Sequence, residues 1–342
     1  MPNIREVAKK AGVSVATVSR VLNHPERVSP KTKERIDIII KDMDFSPNAF
    51  ARSLNLKRSN SIALIIPDIQ NPHNMEIARG VERVAHEKGY NLLLCNTEKN
   101  KNKEQDYMRM LIEKKIDGII LAFTLLQQED FDEIKRRHIP LILFGQNILN
   151  EKISSVYSDF KEGAFLAITH LAQLGFKRIA YICGDDEHLE NRDKTLGYTE
   201  ALLNSGLMVS KELIVQGHDD IDSGYLGALK LLKLKTRPDA VFVANDLMAI
   251  GAVDALRTEG LRIPEDISII GYDNIKMSSL IEPKLTTVSW PVYKMGLISA
   301  RILIEEIETS DEEIVTQNIF LRPKLKIRKS CGHENRVSEI FD

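Results

Sequence analysis

The pattern of apolar and polar positions changes near residue 60 of this 342-residue chain. Before that point apolar residues recur every three or four positions, the spacing of one face of an α-helix. After it, near-continuous apolar runs alternate with helical stretches, which is typical of parallel strands covered on both faces. The pattern therefore predicts a small all-α head followed by a larger α/β body.

Three short helices are predicted in the head. Ile4, Val7, Ala8 and Ala11 form one apolar face of the first, and Gly12 ends it. The other two helices follow caps at Ser14 and Ser29, the last with Pro30 at its first position. Their predicted buried residues are Val18, Val21 and Leu22, then Ile36, Ile39, Ile40 and Met43. Helix, glycine-containing turn and helix is the helix-turn-helix pattern, whose second helix enters the DNA major groove.

The polar side of the second helix suits contact with DNA. Its small hydroxyl residues can donate to phosphate oxygens, and an arginine can reach guanine O6 and N7. Two small apolar side chains early in the helix can touch thymine methyl groups. The residues concerned are Ser14, Thr17 and Ser19 for phosphate and Val15, Ala16 and Arg20 for bases. An ordinary surface helix rich in Ser and Thr is the alternative.

Charge supports a polyanionic partner for the head. Residues 1–60 carry 12 Lys or Arg and 6 Asp or Glu, a net charge of +6 in a chain whose total is −2. Three scattered cysteines without a CxxC pair argue against a zinc site or disulfide framework. The N-terminus has no signal-peptide core, and no apolar run is long enough for a membrane span. We therefore expect no membrane association, a cytoplasmic location and no cofactor.

Residues 45–61, FSPNAFARSLNLKRSNS, separate the head from the body. Pro47 interrupts the chain, and the segment from Asn48 to Leu54 can form one further short helix. A helix this short is marginal alone and would form only when DNA pins it. The polar residues after it have the composition of a linker.

The body contains two successive sets of alternating strands and helices. The predicted strands are 61–69, 91–97, 117–123, 140–145, 154–159, 178–185, 213–217, 240–245 and 267–273. The first predicted helices between them cover 76–89, 104–115 and 128–138. This indicates two doubly wound parallel-sheet lobes, which bind ligands at the carboxyl ends of their strands. The polar residues at those ends are Asp68, Asn71, Asp159, Asp185 and Asp246, each with helix capping as the alternative. No phosphate-loop, dinucleotide, nucleophile-elbow or HExxH motif is present, so we do not expect an enzyme.

Several segments together resemble the lactose-repressor family of bacterial transcription regulators. They are IREVAKKAGVSVATVSRVLN, SPNAFARSL, NRDKTLGYTEAL, VFVANDLMAIGAVDALRTEGLRIPEDISIIGYDN and PKLTTVSW, within a match from Asn3 to about Lys329. The resemblance implies a repressor that binds a near-palindromic operator in double-stranded DNA as a homodimer. It also implies a body like a periplasmic sugar-binding protein, with a small-molecule effector, a sugar or sugar derivative, between its lobes.

The implied domains are a helix-turn-helix head over residues 1–46, a hinge and linker over 47–60, and a body over 61–342. Within the body the N-lobe covers about 61–159 and 291–320, and the C-lobe about 160–290 and 321–330. On the head, phosphate-contact positions are Asn3, Ser14, Thr17, Ser19, Asn23, Ser29 and Thr32, and base-reading positions are Val15, Ala16 and Arg20. Hinge positions are Asn48, Ala51 and Leu54, whose leucine would wedge into the minor groove and kink the duplex.

The effector positions implied by the resemblance depart from the usual family pattern. They are Asn71, His73, Asn74, Asp159, Arg192, Lys194, Asp219, Asp246 and Trp290. His73 and Asn74 stand where aromatics are frequent, and Lys194 stands where arginine is frequent and lacks its planar fork. Trp290, the only tryptophan, can supply stacking instead; burial where the chain crosses between lobes is the alternative.

Three alternatives remain open on sequence. One subgroup, the catabolite-control regulators, uses a phosphorylated carrier protein as corepressor, and Arg301 falls where that subgroup contacts the carrier. An exposed arginine on a surface helix is the favoured interpretation of Arg301. A solute-binding protein for transport is disfavoured by the basic head and the absent signal peptide. An enzyme is the third alternative, although no nucleophile–base pair is visible.

Overall fold

The computed structural model describes residues 2–23, 25–45, 59–147, 153–309 and 315–332. The chain divides into two compact units, Met1–Ser59 and Asn60–Asp342. The hinge positions Asn48, Ala51 and Leu54 lie outside the described residues, so the hinge helix stays a prediction.

The head contains the three predicted helices, α1 (Ile4–Ala11), α2 (Val15–Asn23) and α3 (Pro30–Asp42), with a 3₁₀ turn at Pro25–Arg27. Gly12 adopts the left-handed conformation at φ 62°, which ends α1 and turns the chain into α2. The Ser14 and Ser29 hydroxyls accept from Thr17 N and Thr32 N at 3.1 and 3.3 Å. Both predicted caps are therefore confirmed.

The core of the head joins all three helices. Val7, Val18 and Ile36 are fully buried, and Leu22 packs against them half-buried. The predicted apolar face of α3 is only partly right, because Ile36 is buried whereas Ile39, Ile40 and Met43 are half-buried.

The body holds two six-stranded sheets. The first contains β1 (Ser61–Ile66), β2 (Asn91–Asn96), β3 (Gly118–Ala122), β4 (Leu141–Phe144), β5 (Ser154–Tyr157) and β11 (Asn318–Phe320). The second contains β6 (Ile179–Cys183), β7 (Ile214–Gln216), β8 (Ala240–Val243), β9 (Ser268–Tyr272), β10 (Thr286–Ser289) and β12 (Lys324–Lys326). The strand orders are β11-β5-β4-β3-β1-β2 and β12-β10-β9-β8-β6-β7, so the two lobes repeat one topology.

Helices cover these sheets. They are α4 (Pro72–Glu87), α5 (Lys101–Glu113), α6 (Asp132–Arg136), α7 (Phe160–Gln173), α8 (Leu189–Asn204), α9 (Ile221–Leu232), α10 (Asp246–Thr258) and α11 (Val292–Glu308). Shorter 3₁₀ turns lie at Gln128–Phe131, Lys211–Leu213, Lys276–Ser279 and Lys329–Cys331. Among the described helices, none combines the length and apolar character needed to cross a bilayer.

Parallel pairing dominates both sheets, and the predicted fold class is confirmed. Ile62 of β1 lies between Leu92 of β2 and Gly118 of β3. The next strand in the chain, β2, therefore pairs with one edge of β1, and the strand after it, β3, pairs with the other edge. This reversal of strand order creates the crevice in which such sheets bind ligands. The pairing of β10 with β12 is antiparallel.

Several helices begin earlier than their apolar periodicity predicts. We expected one helix over 76–89, yet α4 starts at Pro72 because the Asn71 side chain accepts from His73 N and caps it. The helix expected over 104–115 starts at Lys101, since Asn100 caps it. The helix expected over 128–138 is a 3₁₀ turn followed by the five-residue α6. The first two differences arise because the predicted starts rest on the spacing of apolar residues, whereas polar cap residues set where these helices begin.

Candidate functional site

Helix α2 presents a mixed apolar and basic face on the surface of the head. Val18 and Val21 anchor its opposite side in the core. Val15 is 40% exposed, and Ala16 and Arg20 are exposed with it. The three residues predicted to read bases are therefore accessible in the described head.

The predicted phosphate-contact residues sit mainly at helix starts. Asn3 caps α1 by accepting from Arg5 N and Glu6 N, while Ser14 and Ser29 cap α2 and α3. The hydroxyls of Thr17 and Thr32 lie 2.9 and 2.8 Å from the two cap hydroxyls. Ser19 is half-buried, and the Asn23 side chain lies outside the described atoms. The positive ends of three helices thus present the exposed polar groups, an arrangement that attracts phosphate.

The second site is a cavity of about 60 Å³ between the two sheets of the body. Residues following β1, β2, β3, β6, β8, β9 and β10 line it, so it occupies the carboxyl ends of strands from both lobes. Of the predicted effector residues, six line this cavity: Asn71, His73, Asn74, Lys194, Asp219 and Trp290. The volume is below the roughly 300–1,000 Å³ of sites for drug-sized molecules, which favours a small ligand.

Trp290 forms the centre of an aromatic wall. Its side chain is 3% exposed, and its ring lies 4.5 Å from that of His73 and 5.0 Å from that of Phe160. Trp290 Nε1 donates to Asp273 Oδ1 at 3.3 Å. Burial lowers the pKa of His73, against the opposing effect of Asp273, so His73 is held neutral. Trp290 is thus buried, as the alternative expected, and it also lines the cavity, while its stacking on a ligand stays a prediction.

Lys194 is buried beside the cavity with its charge already engaged. Its Nζ donates to Ala244 O at 3.0 Å and lies 4.6 Å from the centroid of the Tyr272 ring and 5.5 Å from that of Phe160. A cation over aromatic faces is stabilised by the ring quadrupole. The ammonium group is therefore held by its own lobe.

Lys99 bridges the two lobes. Residue 99 follows β2 of the first lobe, and its Nζ donates at 2.9 Å to the carbonyl oxygen of His218 in the second. The same Nζ lies 3.6 Å from Asp219 Oδ2. This contact joins the two lobes directly beside the cavity.

The second lobe supplies a wall of amides and carboxylates. Asn245 Nδ2 donates to Asp219 Oδ1 at 3.0 Å, and Asn191 Nδ2 donates to the Asp185 carbonyl oxygen at 3.0 Å. At Gly184 a Cβ would lie 2.3 Å from both Asn191 Nδ2 and Asp219 Oδ1. Glycine at 184 is therefore required for this wall to pack.

Three buried polar atoms around the cavity lack a hydrogen-bond partner among the described residues: His73 Nε2, His188 Nδ1 and Asn191 Oδ1. Their side chains are 4%, 4% and 2% exposed. An unpaired buried polar atom costs about 1–3 kcal/mol. A ligand that bonds to these atoms would remove that cost.

Three predicted effector residues lie outside the cavity. Asp159 caps α7 by accepting from Glu162 N, and Arg192 is exposed. Asp246 is fully buried and accepts from Ile275 N at 2.9 Å and Thr287 Oγ1 at 2.7 Å. The cap of α10 is Asn245 instead, so neither ligand contact nor capping describes Asp246.

Several lining residues escaped the sequence argument. They are Phe123, Phe160, Lys99, His188, Glu190, Asn191, Asn245 and Asp273. Asn245 and Asp273 are the last residues of the predicted strands 240–245 and 267–273, and they could have been found by applying the strand-end rule to every strand. His188, Glu190 and Asn191 carry no such signal, because they open α8 after an irregular loop.

Arg301, the predicted contact for a protein corepressor, is exposed on α11. This placement is compatible with the favoured interpretation as an ordinary surface arginine and with a docking role.

Two family models match the chain. One, described as "Periplasmic binding proteins and sugar binding domain of LacI family", matches residues 59–328. The other, described as "Bacterial regulatory proteins, lacI family", matches residues 3–48. The matched ranges contain the interlobe cavity and the three helices of the head, respectively.

Known proteins similar to the chain include catabolite control protein A of Priestia megaterium, 37% identical over 91% of this chain and 95% of that protein. Among solved structures, a lac repressor dimer bound to operator and an anti-inducer superposes with a TM-score of 0.86 at 26% identity, covering 96% of this chain and 99% of that one. A complex of the regulator CelR with cellobiose has a TM-score of 0.72 at 30% identity, covering 96% and 100%.

Proposed function

We propose a mode of regulation on the premise that this chain belongs to the lacI family of bacterial regulatory proteins, which are DNA-binding transcriptional regulators. The protein acts as a repressor that binds a near-palindromic operator as a homodimer. A small polar ligand in the interlobe cavity controls its affinity for DNA. The protein is not an enzyme, and it works in the cytoplasm at the nucleoid.

The observation that carries this proposal is the cavity itself. Three of the side chains that line it are more than nine-tenths buried and carry a polar atom without a partner among the described residues, at the place where the strand ends of two lobes meet. Lys99 joins the lobes directly at that space. A ligand that pairs those atoms would change the equilibrium between closed and open lobes, and such a change can control a second site.

DNA recognition is assigned to α2. Exposed Arg20 reads a guanine, Val15 and Ala16 contact thymine methyls, and the capped helix starts bind phosphate. The operator-bound lac repressor dimer, similar along 96% of this chain, supports the homodimer and the two inverted half-sites. Asn48, Ala51 and Leu54 form the minor-groove hinge in this proposal.

Selection from a random pool of DNA duplexes by the full chain tests the DNA-binding part of the proposal. We expect enrichment of one site with two inverted half-sites, and release of bound DNA as salt rises. Enrichment of a single unrepeated half-site would contradict binding as a symmetric dimer.

Leu54→Ala tests the hinge on the selected operator. We expect weaker binding and less bending of the DNA, measured by gel migration of circularly permuted fragments, because the wedge into the base step is lost. Unchanged bending would show that Leu54 does not intercalate.

A second candidate is control by a phosphorylated carrier protein. Its support is the 37% identity with catabolite control protein A and the exposed guanidinium of Arg301 on α11. Arginine pairs well with phosphate. In this version the phosphorylated carrier would strengthen operator binding by the wild-type protein but not by Arg301→Ala, and equal strengthening of both would remove Arg301 from the interface.

A further inference from the structure

We propose that the cavity ligand is a small hydroxylated amine bound in its protonated form, and that Glu190 is the residue that selects it. This inference rests on the proposed regulatory function and names the chemical class of its effector. It follows from the charges that face the cavity and from the bonds those charges already make.

The cavity lining carries more carboxylates than cations. Asp68, Glu190, Asp219 and Asp273 line it together with the ammonium groups of Lys99 and Lys194. Both ammonium groups are committed to partners within the protein. Lys99 bonds to His218 O beside Asp219, and Lys194 bonds to Ala244 O over two aromatic rings.

An anionic ligand is therefore disfavoured. Among the described lining residues both lysines already bond to a backbone carbonyl oxygen, and no arginine lines the cavity to bind a phosphate or carboxylate by its planar fork. Binding an anion would place it among four carboxyl groups, where like-charge repulsion opposes it.

Glu190 is the carboxyl group that lacks a strong partner. Its side chain is 17% exposed, and the nearest basic group recorded for it is His188 Nδ1, 3.9 Å from Oε1, beyond hydrogen-bonding distance. Burial raises the pKa of Glu190, because its charge is removed from water and the opposing effects of His188 and Lys194 are smaller. A protonated amine beside this carboxylate would supply that compensation.

The neighbouring groups also suit a donor-rich ligand. Asn191 Oδ1 is an acceptor without a partner among the described residues, so it requires a donor. The unpaired nitrogens of His188 and His73 can each bond a hydroxyl group in either direction, depending on tautomer. The Trp290 and Phe160 rings of the aromatic wall line the same cavity, and the ammonium group of Lys194 already lies over the Phe160 ring.

The test is isothermal titration of the full-length protein with matched probes at pH 7. The amines are D-glucosamine, D-galactosamine, D-mannosamine and ethanolamine. The neutral counterparts are glucose, galactose, mannose and ethylene glycol, and the anions are the three hexose 6-phosphates. We expect at least one amine to bind about tenfold or more tightly than its neutral counterpart, the effect of one charge-assisted hydrogen bond, with no binding of the anions.

Glu190→Gln keeps the shape of the side chain and removes its charge. We expect it to weaken amine binding by about tenfold or more and to leave any weak binding of the neutral counterpart unchanged. Glu187→Gln is the matched control, since Glu187 is exposed three residues earlier and does not line the cavity. The control should bind the amine like the wild type.

Tighter binding of a neutral or anionic probe, or no binding by any amine, would overturn the inference. Equal loss in Glu190→Gln and Glu187→Gln would overturn the role of Glu190. Operator binding is measured on the same preparations by fluorescence anisotropy. Intact operator binding with no amine preference refutes this inference alone, whereas absent operator binding refutes the proposed function.

Discussion

Asp246 gives a sharp test of how the body is held together. Its carboxyl group is fully buried and accepts from Ile275 N and Thr287 Oγ1, so it ties the start of α10 to the segments around β9 and β10. Asp246→Ala would leave both donors without an acceptor. Each unmade buried hydrogen bond costs about 1–3 kcal/mol, so we expect the free energy of unfolding to fall by about 2–6 kcal/mol.

Asp246→Asn separates shape from charge. The amide oxygen can accept from Ile275 N, and the amide nitrogen can donate to Thr287 Oγ1, so each position keeps a hydrogen bond although the second one reverses its direction. We expect the free energy of unfolding of Asp246→Asn to lie within about 1 kcal/mol of that of the wild type, since a neutral amide replaces a buried carboxyl group.

The two variants also differ in how stability depends on pH. Burial, assisted by Asp273, raises the pKa of Asp246 well above its ordinary value. The folded state therefore holds this proton more tightly than the unfolded chain. The stability gained from binding this proton is fully present below about pH 4, and it is lost as the pH rises through the folded-state pKa of Asp246. Asp246→Asn should lack this part of the decline.

Urea unfolding at several pH values, followed by circular dichroism and Trp290 fluorescence, measures the free energy of unfolding of both variants and its dependence on pH. The reasoning is refuted if Asp246→Ala is within about 1 kcal/mol of the wild type. It is also refuted if Asp246→Asn is as unstable as Asp246→Ala, because the charge itself would then be required.

Three further predictions concern the two sites and the head. Arg20→Ala should weaken operator binding by about 1–3 kcal/mol and relax specificity at one base pair, measured by anisotropy on operator variants; uniform weakening across all sequences would make Arg20 a phosphate contact. Gly184→Ala should weaken ligand binding about tenfold or more by displacing Asn191 and Asp219, with operator binding retained; unchanged calorimetric affinity would contradict the close packing. Ser29→Ala should destabilise the head by about 1 kcal/mol in thermal unfolding, and an unchanged head transition would exclude capping as a source of stability.

The architecture of the body was largely predictable because strands buried on both faces appear in the sequence as continuous apolar runs. Ile62 to Ile66, for example, form a continuous apolar segment that is buried on both faces. The three-residue strands β11 and β12 are too short to produce a recognisable pattern, and sequence reasoning missed them. Helix starts were missed where polar caps, such as Asn100, extend a helix beyond its apolar face.

The cavity was predictable only in part. A polar residue at a strand end signals a position near the crevice, but it does not say which way the side chain turns. Asp219 turns into the cavity, whereas Asp246 turns into the core and Asp159 caps a helix. His188 and Glu190 reach the cavity from the start of α8, whose position depends on the irregular loop before it and on tertiary packing, which spacing along the chain does not encode.

Coupling between the cavity and operator binding is the central claim, and operator affinity with and without a cavity ligand tests it most directly. The full-length protein is titrated with its selected operator in the absence and the presence of a saturating amine probe. We predict that operator affinity changes by about 5- to 150-fold and that operator changes the affinity for the probe by the same factor. A probe that binds the cavity, shown by its loss in Glu190→Gln, yet leaves operator affinity unchanged would contradict regulation through this site.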